Sequence, residues 1–432
     1  MNRYETYKPS GIDWIGEVPE VWEIKRIKRI AEILRGASPR PIDDEKYFDD
    51  NGEFSWVRIS DVTASETYLN ETYEKLSELG SSLSVKIKPG DLFVSIAGSV
   101  GKPIISNIKA CIHDGFVWLK SPKVDTKYLY YILNADGIYG GLGKLGTQLN
   151  LNTQILGSVI IPIPSKTEQL TIANYLDDQT QKIDRLIANK KAQAEKLKEL
   201  RQIEINNAVT KGLNPNAEMK DSGIEWLGKI PKHWDVKHLK RAFKFFNNIR
   251  IPLSSEERAD LENIYDYYGA SGIIDKVDRY LFDGDFILIG EDGANLVFRS
   301  TPLAFKASGK FWVNNHAHIL QPIKGDIDYN TFMLESLDYS IYISGSAQPK
   351  LTIEALSSMR VIVPPKDEQI EIANYLKERT TAIDQLIKNI EAQIEKLQEL
   401  RKIKIYEAVT GKICLNQDLQ DERMGRIKIE TV

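Results

Sequence analysis

An α+β fold built twice over is what this 432-residue sequence predicts: two globular domains and two long antiparallel helices forming a coiled coil, related by a pseudo-twofold internal repeat. Three observations point there. EQLTIANYLDDQTQKID from Glu168 returns as EQIEIANYLKERTTAID from Glu368, and 26 of 43 positions are identical between 168–210 and 368–410. SGIDWIGEVPEVW from Ser10 returns as SGIEWLGKIPKHW from Ser222. The stretches between these repeats align poorly with each other, although PGDLFVSIAG matches DGDFILIGEDG and GTQLNLNTQIL matches SAQPKLTIEAL. Two halves of a tandem duplication start alike. The repeated phrases therefore contact something common to both halves, and the diverged stretches contact something different.

In chain order, the reading gives a short segment over 1–22, a globular domain over 23–160 and a helix over 165–212. A second Trp-Gly-Pro segment covers 213–234, followed by a domain over 235–360, a helix over 366–412 and a tail over 413–432. Ile172, Leu176, Ile183, Leu186, Leu197 and Leu200 fall on steps of three and four, the narrow seam of a coiled coil. Ile372, Leu376, Ile383, Leu386, Ile390, Leu397 and Leu400 repeat it. SKTE at Ser165–Glu168 fits a capping box, with Glu168 reaching back to the cap. Gly212 and Gly411 are placed as C-terminal stops. About 45 helical residues rising ~1.5 Å each make a rod of roughly 65 Å, and its stripe is buried most simply by pairing with the other copy. Within the domains, DLFVSIAG, FVWLKS, SVIIPIP, DFILIG, HAHILQP and RVIVPP predict short strands, and TKYLYYIL and NTFMLESL predict helices. Trp14, Trp22, Trp226 and Trp234 recur in both halves and are expected to pack each short motif onto a helix end.

Composition narrows the function. Lys+Arg 57 against Asp+Glu 61 leaves a net charge of −4, so any polyanion must be held by local patches. No apolar run reaches the ~20 residues that span a bilayer, and the first residues lack a signal-peptide core. Cys111 and Cys414 have no metal-ligand spacing and fit a reducing cytoplasm. There is no Walker A sequence, amino-methyltransferase signature or His cluster. GLGKLG at Gly141–Gly146 matches the dinucleotide fingerprint in letters only, because a helix rather than a strand precedes it. Ser95, His113 and Asp114 lack the sequence context of a hydrolase triad.

The order of parts closely resembles the specificity subunit of type I restriction–modification systems, over essentially the whole chain. IPIPSKTEQLTIANYLDDQTQKID from Ile161, VIVPPKDEQIEIANYLKERTTAID from Val361 and the AVT ends at Ala208–Thr210 and Ala408–Thr410 carry the resemblance. GDLFVSIAGSVG from Gly90 and GDFILIGEDG from Gly284 add to it. The resemblance implies that each globular stretch is a target recognition domain reading one half of a bipartite double-stranded DNA site, with the helices setting the gap. It implies docking of two methyltransferase subunits and of restriction subunits. It also implies no catalytic residue, metal or cofactor in this chain, with S-adenosylmethionine, ATP and Mg²⁺ belonging to the partners.

Local patches supply candidate DNA-binding residues. WEIKRIKR and WDVKHLKR give each domain a cationic start at Lys25, Arg26, Lys237 and Arg241. Lys102, Lys109, Lys144, Thr147 and Asn150 are expected on loops of the first domain. Arg250, Arg299, Asn314, Asn315, His316 and Lys350 are expected on loops of the second. Gln148 and Gln348 occupy matching positions and suggest a shared turn rather than base reading. Glu195, Lys196, Glu199 and Arg201 equal Glu395, Lys396, Glu399 and Arg401 off the seam, and are candidates for docking two copies of one partner. The rival readings are a non-catalytic coiled-coil adaptor with two protein-binding heads, an enzyme with an unfamiliar active site, and a modification-only complex. A steep salt dependence separates DNA binding from the adaptor.

Overall fold

The computed structural model describes residues 3–142, 144–145, 148–149, 151–224, 227–345 and 348–415. Two compact units divide the chain: Met1–Lys190 with Gln393–Val432, and Lys191–Ala392.

Each unit has the same layering, for the same physical reason. In the first, a five-stranded sheet orders Glu32–Arg35, Phe116–Lys120, Leu92–Ser95, Pro103–Ser106 and Tyr68–Leu69. A four-stranded sheet orders Glu74–Leu76, Phe54–Val57, Ala110–Ile112 and Val85–Ile87. Strand side chains alternate between faces, so Phe93, Ile104 and Phe116 join Val57 and Ile112 in the core between the sheets. Leu92, Val94 and Val117 meet the helix Thr126–Leu133 and the long helices on the other face.

In the second unit one sheet orders Phe243–Phe245, Ala317–Pro322, Phe286–Gly290 and Ala304–Ala307. The other orders Gly272–Val277, Tyr265–Gly269, Lys310–Val313 and Phe282–Asp283. Phe286 and Leu288 face the facing sheet. Ile287 and Ile289 face the helix Ile327–Ser336 and the long helices.

Lys166–Lys211 and Lys366–Val409 are the long helices; neither contains a Gly or Pro. Gly212 and Gly411 follow their ends with φ of +74° and +70°. Packing is antiparallel within each unit. Ile172 and Leu176 share the first unit's core with Ile405, Ala408 and Val409. Ile372 and Leu376 share the second unit's core with Ile205, Ala208 and Val209. The seam departs from the expected one in its middle. Leu186 and Leu386 are 48% and 51% exposed, and Leu200 and Leu400 are exposed too. From Ile183 the buried stripe steps by four to Ile187, then through Lys190 and Ala194 to Leu197, so the next seam position falls on Arg201 rather than Leu200. No helix among the described residues is long and apolar enough to cross a membrane.

The repeated phrases meet at one joint in each unit. Trp22, fully buried, donates its indole N–H to Glu168 Oε2 at 3.1 Å, while the Tyr4 hydroxyl donates to Oε1. Trp234 donates to Glu368 Oε2 at 2.9 Å, with His233 Nε2 at 2.6 Å from Oε1. The capping box is therefore only half realised. Glu168 N–H donates to Ser165 Oγ at 3.3 Å, but the Glu168 carboxylate takes the aromatic donors instead of the cap N–H. The far helix end closes the same joint: a Cβ on Gly411 would stand 2.4 Å from Pro19 Cδ and 3.1 Å from Trp22, and one on Gly212 would stand 3.1 Å from Trp234. Gln169 donates to the Pro164 carbonyl at 2.9 Å and accepts the Asp125 N–H at 2.8 Å. Gln369 repeats both bonds, with Pro364 and Asp326.

Candidate nucleic-acid interface

Sheet register brings a set of loops to one edge of each unit. In the first unit, Ile112 pairs with Val57, Phe116 with Ser95 and Val117 with Arg35. The loops 36–41, 58–61, 96–102 and 113–115 therefore emerge together. In the second unit, Tyr268 pairs with Val313, Gly290 with Ala317 and Phe245 with Leu320. This gathers 246–254, 270–271, 291–303 and 314–316. The Gly293 N–H donates to the Pro349 carbonyl at 3.1 Å, which adds the ribbon of Ile343–Ser344 and Lys350–Leu351 to the same edge.

The second edge is supported from beneath by a buried ionic cluster. Arg250, its side chain 15% exposed, pairs with Glu291 at 2.5 Å and donates to the carbonyls of Asn315 and Ala317. Glu291 also has Lys350 at 3.4 Å and His318 at 3.8 Å. Burial opposes ionisation of Glu291, but the Arg250 bond and the charges of Arg250 and Lys350 hold it below the usual carboxylate range. His318 is fully buried: Nε2 lies 2.7 Å from the Leu351 carbonyl, and Nδ1 lies 2.7 Å from Asn247 Nδ2. That arrangement suits the neutral ring, with Nε2–H donating and Nδ1 accepting. Burial lowers its pKa accordingly. On the surface, His316 Nδ1 lies 2.8 Å from Asp292 Oδ2, and Asn315 is exposed beside it.

The first edge is built differently. Asp114 accepts from Ser38 at 3.3 Å and from Arg40 at 3.1 Å, and its carbonyl accepts from Arg35 at 2.8 Å. Arg40, Arg58, Trp56, Ile59 and His113 border a cavity of about 380 Å³. His113 Nδ1 accepts the Gly115 N–H at 2.8 Å, and burial lowers its pKa.

Several sequence-derived candidates take other places. Lys102 donates to the Thr63 and Ser65 carbonyls, and burial lowers its pKa. Arg299 donates to the carbonyls of Leu337 and Glu335. Asn314, buried, accepts the His316 N–H at 2.8 Å. Like Arg250, these three direct hydrogen bonds to their own chain. Lys109 precedes Ala110–Ile112, at the opposite end from the 113–115 turn, and pairs with Glu53 at 2.7 Å. Lys25 and Arg26 lie on Glu23–Arg26, paired to Ile160–Ile163 beside the long helix. Lys237 lies on the matching strand Asp235–His238, with Arg241 in the turn that follows. These four are brought to the mount rather than to the loop edge. Asn315, His316 and Lys350 remain on the edge. Thr147 and Asn150 lie outside the described residues; Lys144 lies on a two-residue strand, Lys144–Leu145.

Arg201 pairs with Asp384 at 2.9 Å and Arg401 with Asp184 at 3.0 Å. Both arginines thus have ion-pair partners within their own unit. Glu195, Lys196, Glu199, Glu395, Lys396 and Glu399 are exposed. Arg35, Ser38, Arg40, Arg58 and Asp292 were not singled out by sequence. RGASPRP at Arg35–Pro41, two arginines spaced by turn residues after a strand, carried the available signal. Among the described residues, no group of three or more His, Cys, Asp or Glu is placed to hold a metal.

A family profile described as the type I restriction modification DNA specificity domain matches twice, at residues 19–196 and 231–396. The type I restriction enzyme MjaIX specificity subunit of Methanocaldococcus jannaschii is 24% identical over 438 residues, covering 93% of this chain and 96% of that protein. The EcoprrI specificity subunit of Escherichia coli is 23% identical over 366 residues, covering 81% and 85%. A chain solved in work on complex assembly and conformational transition of the type I R-M system has the same fold. Its TM-score is 0.71 at 13% identity, covering 92% of this chain and 99% of that one. With two matched copies that span most of its length, the chain belongs to the type I restriction modification DNA specificity family.

Proposed function

We propose that this chain is the sequence-reading subunit of a type I restriction–modification assembly, each unit's loop edge reading one half of a bipartite duplex site. The observation that carries this reading is the contrast within the repeat. The joints around Glu168 and Glu368 use the same chemistry, whereas the loop edges are built from different pairings, Arg40 with Asp114 in one and His316 with Asp292 in the other. Side-chain hydrogen bonds to base edges specify sequence, while phosphate contacts fix register. Asn315, His316 and Lys350 in the second unit and Arg40 and Arg58 in the first are exposed groups of those kinds.

In this reading the chain catalyses nothing itself. Two methyltransferase subunits dock on the repeated helices through Glu195, Lys196, Glu199, Glu395, Lys396 and Glu399, restriction subunits complete the enzyme, and the methyl donor, ATP and Mg²⁺ are held by those partners. Methylation profiling of a genome expressing the assembled complex tests the function. The expected result is one bipartite motif that vanishes when this chain is deleted. A methylation pattern unaffected by the deletion contradicts it. Charge reversal at Glu195/Lys196 together with Glu395/Lys396 is expected to weaken methyltransferase assembly; unchanged assembly would remove that surface from the proposal.

A further inference from the structure

The loop 291–303 of the second unit carries a feature that base-edge hydrogen bonding does not use. Its short helix Asn295–Phe298 buries Leu296 in the core and leaves Val297 57% and Phe298 77% exposed. The two side chains stand next to each other as an exposed apolar pair at a loop tip. The turn that presents them is rigidly held. Arg299 adopts a left-handed backbone, φ +48°, uncommon and strained for a residue with a side chain. Its guanidinium fixes that conformation by bonding to the Leu337 carbonyl at 3.0 Å and the Glu335 carbonyl at 2.6 Å, and by lying over the Tyr339 ring. Asn295 Oδ1 closes the loop by accepting from Ser300 Oγ and the Thr301 N–H, both at 3.0 Å.

Position indicates the occupant. The same loop carries Asp292, paired to His316, and is tied through Gly293 to the ribbon bearing Lys350. The apolar pair is thus continuous with the cationic and polar groups of the edge. The matching loop of the first unit, 96–102, is shorter and contains no exposed large apolar residue.

We propose that Phe298, backed by Val297, is an apolar wedge that inserts at a base step of the second half-site, partly unstacking it and bending the duplex. Apolar side chains act in this way where proteins kink DNA, most readily at flexible pyrimidine–purine steps. The wedge rests on the DNA-reading function proposed above and adds a second mode of selection to one half-site only: the deformability of a step rather than its hydrogen-bond pattern.

The test uses the full-length chain assembled with its methyltransferase subunits and duplexes carrying 2-aminopurine at successive steps of each half-site, with end-labelled duplexes reporting the bend by energy transfer. Outside the bases that the methyltransferase subunits flip for methylation, the wild-type complex is expected to raise 2-aminopurine fluorescence at one step of the second half-site and at none of the first. Phe298→Ala should abolish that rise, straighten the duplex and weaken binding by about tenfold or more, the scale of losing one aromatic–base stack. Phe298→Trp should keep the signal. Specific binding without fluorescence change or bending overturns the wedge and leaves the reading function standing. So does a Phe298→Ala complex that binds and bends as the wild type does. Failure of Phe298→Ala to assemble, with the chain's melting temperature unchanged, would assign the patch to a protein partner and also overturn the wedge. Absence of any sequence-specific binding by the wild-type complex sinks both proposals together.

Discussion

Glu168 and Glu368 each accept a tryptophan N–H from a segment more than a hundred residues upstream, and the glycine ending the other long helix lies against that same indole. One carboxylate thus links the three pieces of sequence that the chain repeats. Removing the indole donor should destabilise the first joint by about 1–3 kcal/mol, the cost of leaving the buried Glu168 carboxylate short of a partner, and the second by less, because the Glu368 side chain is 36% exposed. Trp22→Phe and Trp234→Phe are therefore expected to shift urea unfolding of the chain, each through its own unit; unchanged midpoints would deny the joint its role. Arg250 and Lys350 separate support from contact. Arg250→Ala takes from Glu291 its closest partner, leaving Lys350, and should cost stability on the order of 1–3 kcal/mol for this partly buried pair. Lys350→Ala should leave stability nearly unchanged and lower the salt slope of DNA binding by about one. His318 adds a pH dependence. Its folded pKa lies below the unfolded value of about 6.5, so below that value the unfolded chain binds more protons. Stability should be full above about pH 6.5 and fall as pH drops through and below it. Urea unfolding at pH 7.5 and 5.5 checks the sign, and His318→Gln should reduce the difference, leaving the part that His113 contributes.

At the level of elements, each recognition domain is fastened to its mount by an ion pair of opposite polarity. Lys127 on the helix Thr126–Leu133 pairs with Asp177 on the first long helix. In the second unit Asp328 on Ile327–Ser336 pairs with Lys377 at 3.0 Å. Moving the second domain onto the first mount sets Asp328 against Asp177. A melting temperature lowered in that chimera and restored by Asp177→Lys is expected, with an effect of about 1 kcal/mol or less because these pairs are partly exposed. The long helices were legible because a seam of three- and four-residue steps survives in sequence, and Gly212 and Gly411 mark their ends. The strands were legible from apolar runs such as FILIG and FVWLK. The middle of the seam was misread because Leu186 and Ile187 are adjacent and equally apolar, and only the phase of the partner helix selects between them. The inward turn of Arg250, Arg299 and Lys102 was not legible: their acceptors are backbone carbonyls far along the chain, and only strand register brings those carbonyls near.

Across the whole chain, what is common to the halves is separated from what is particular to each. The joints and long helices carry the residues that both halves share, and the loop edges carry those that differ. Selectivity should then be divisible, because the polar groups of each edge are held by their own unit's sheets: Asp114 with Arg40 and Ser38 in one, and Glu291 with Arg250 in the other. The most direct measurement is methylation profiling of cells in which residues 23–160 are replaced by the equivalent domain of another family member. The account predicts a new first half-site beside an unchanged second half-site and an unchanged gap. Loss of both half-sites, or a change confined to the second, would contradict it.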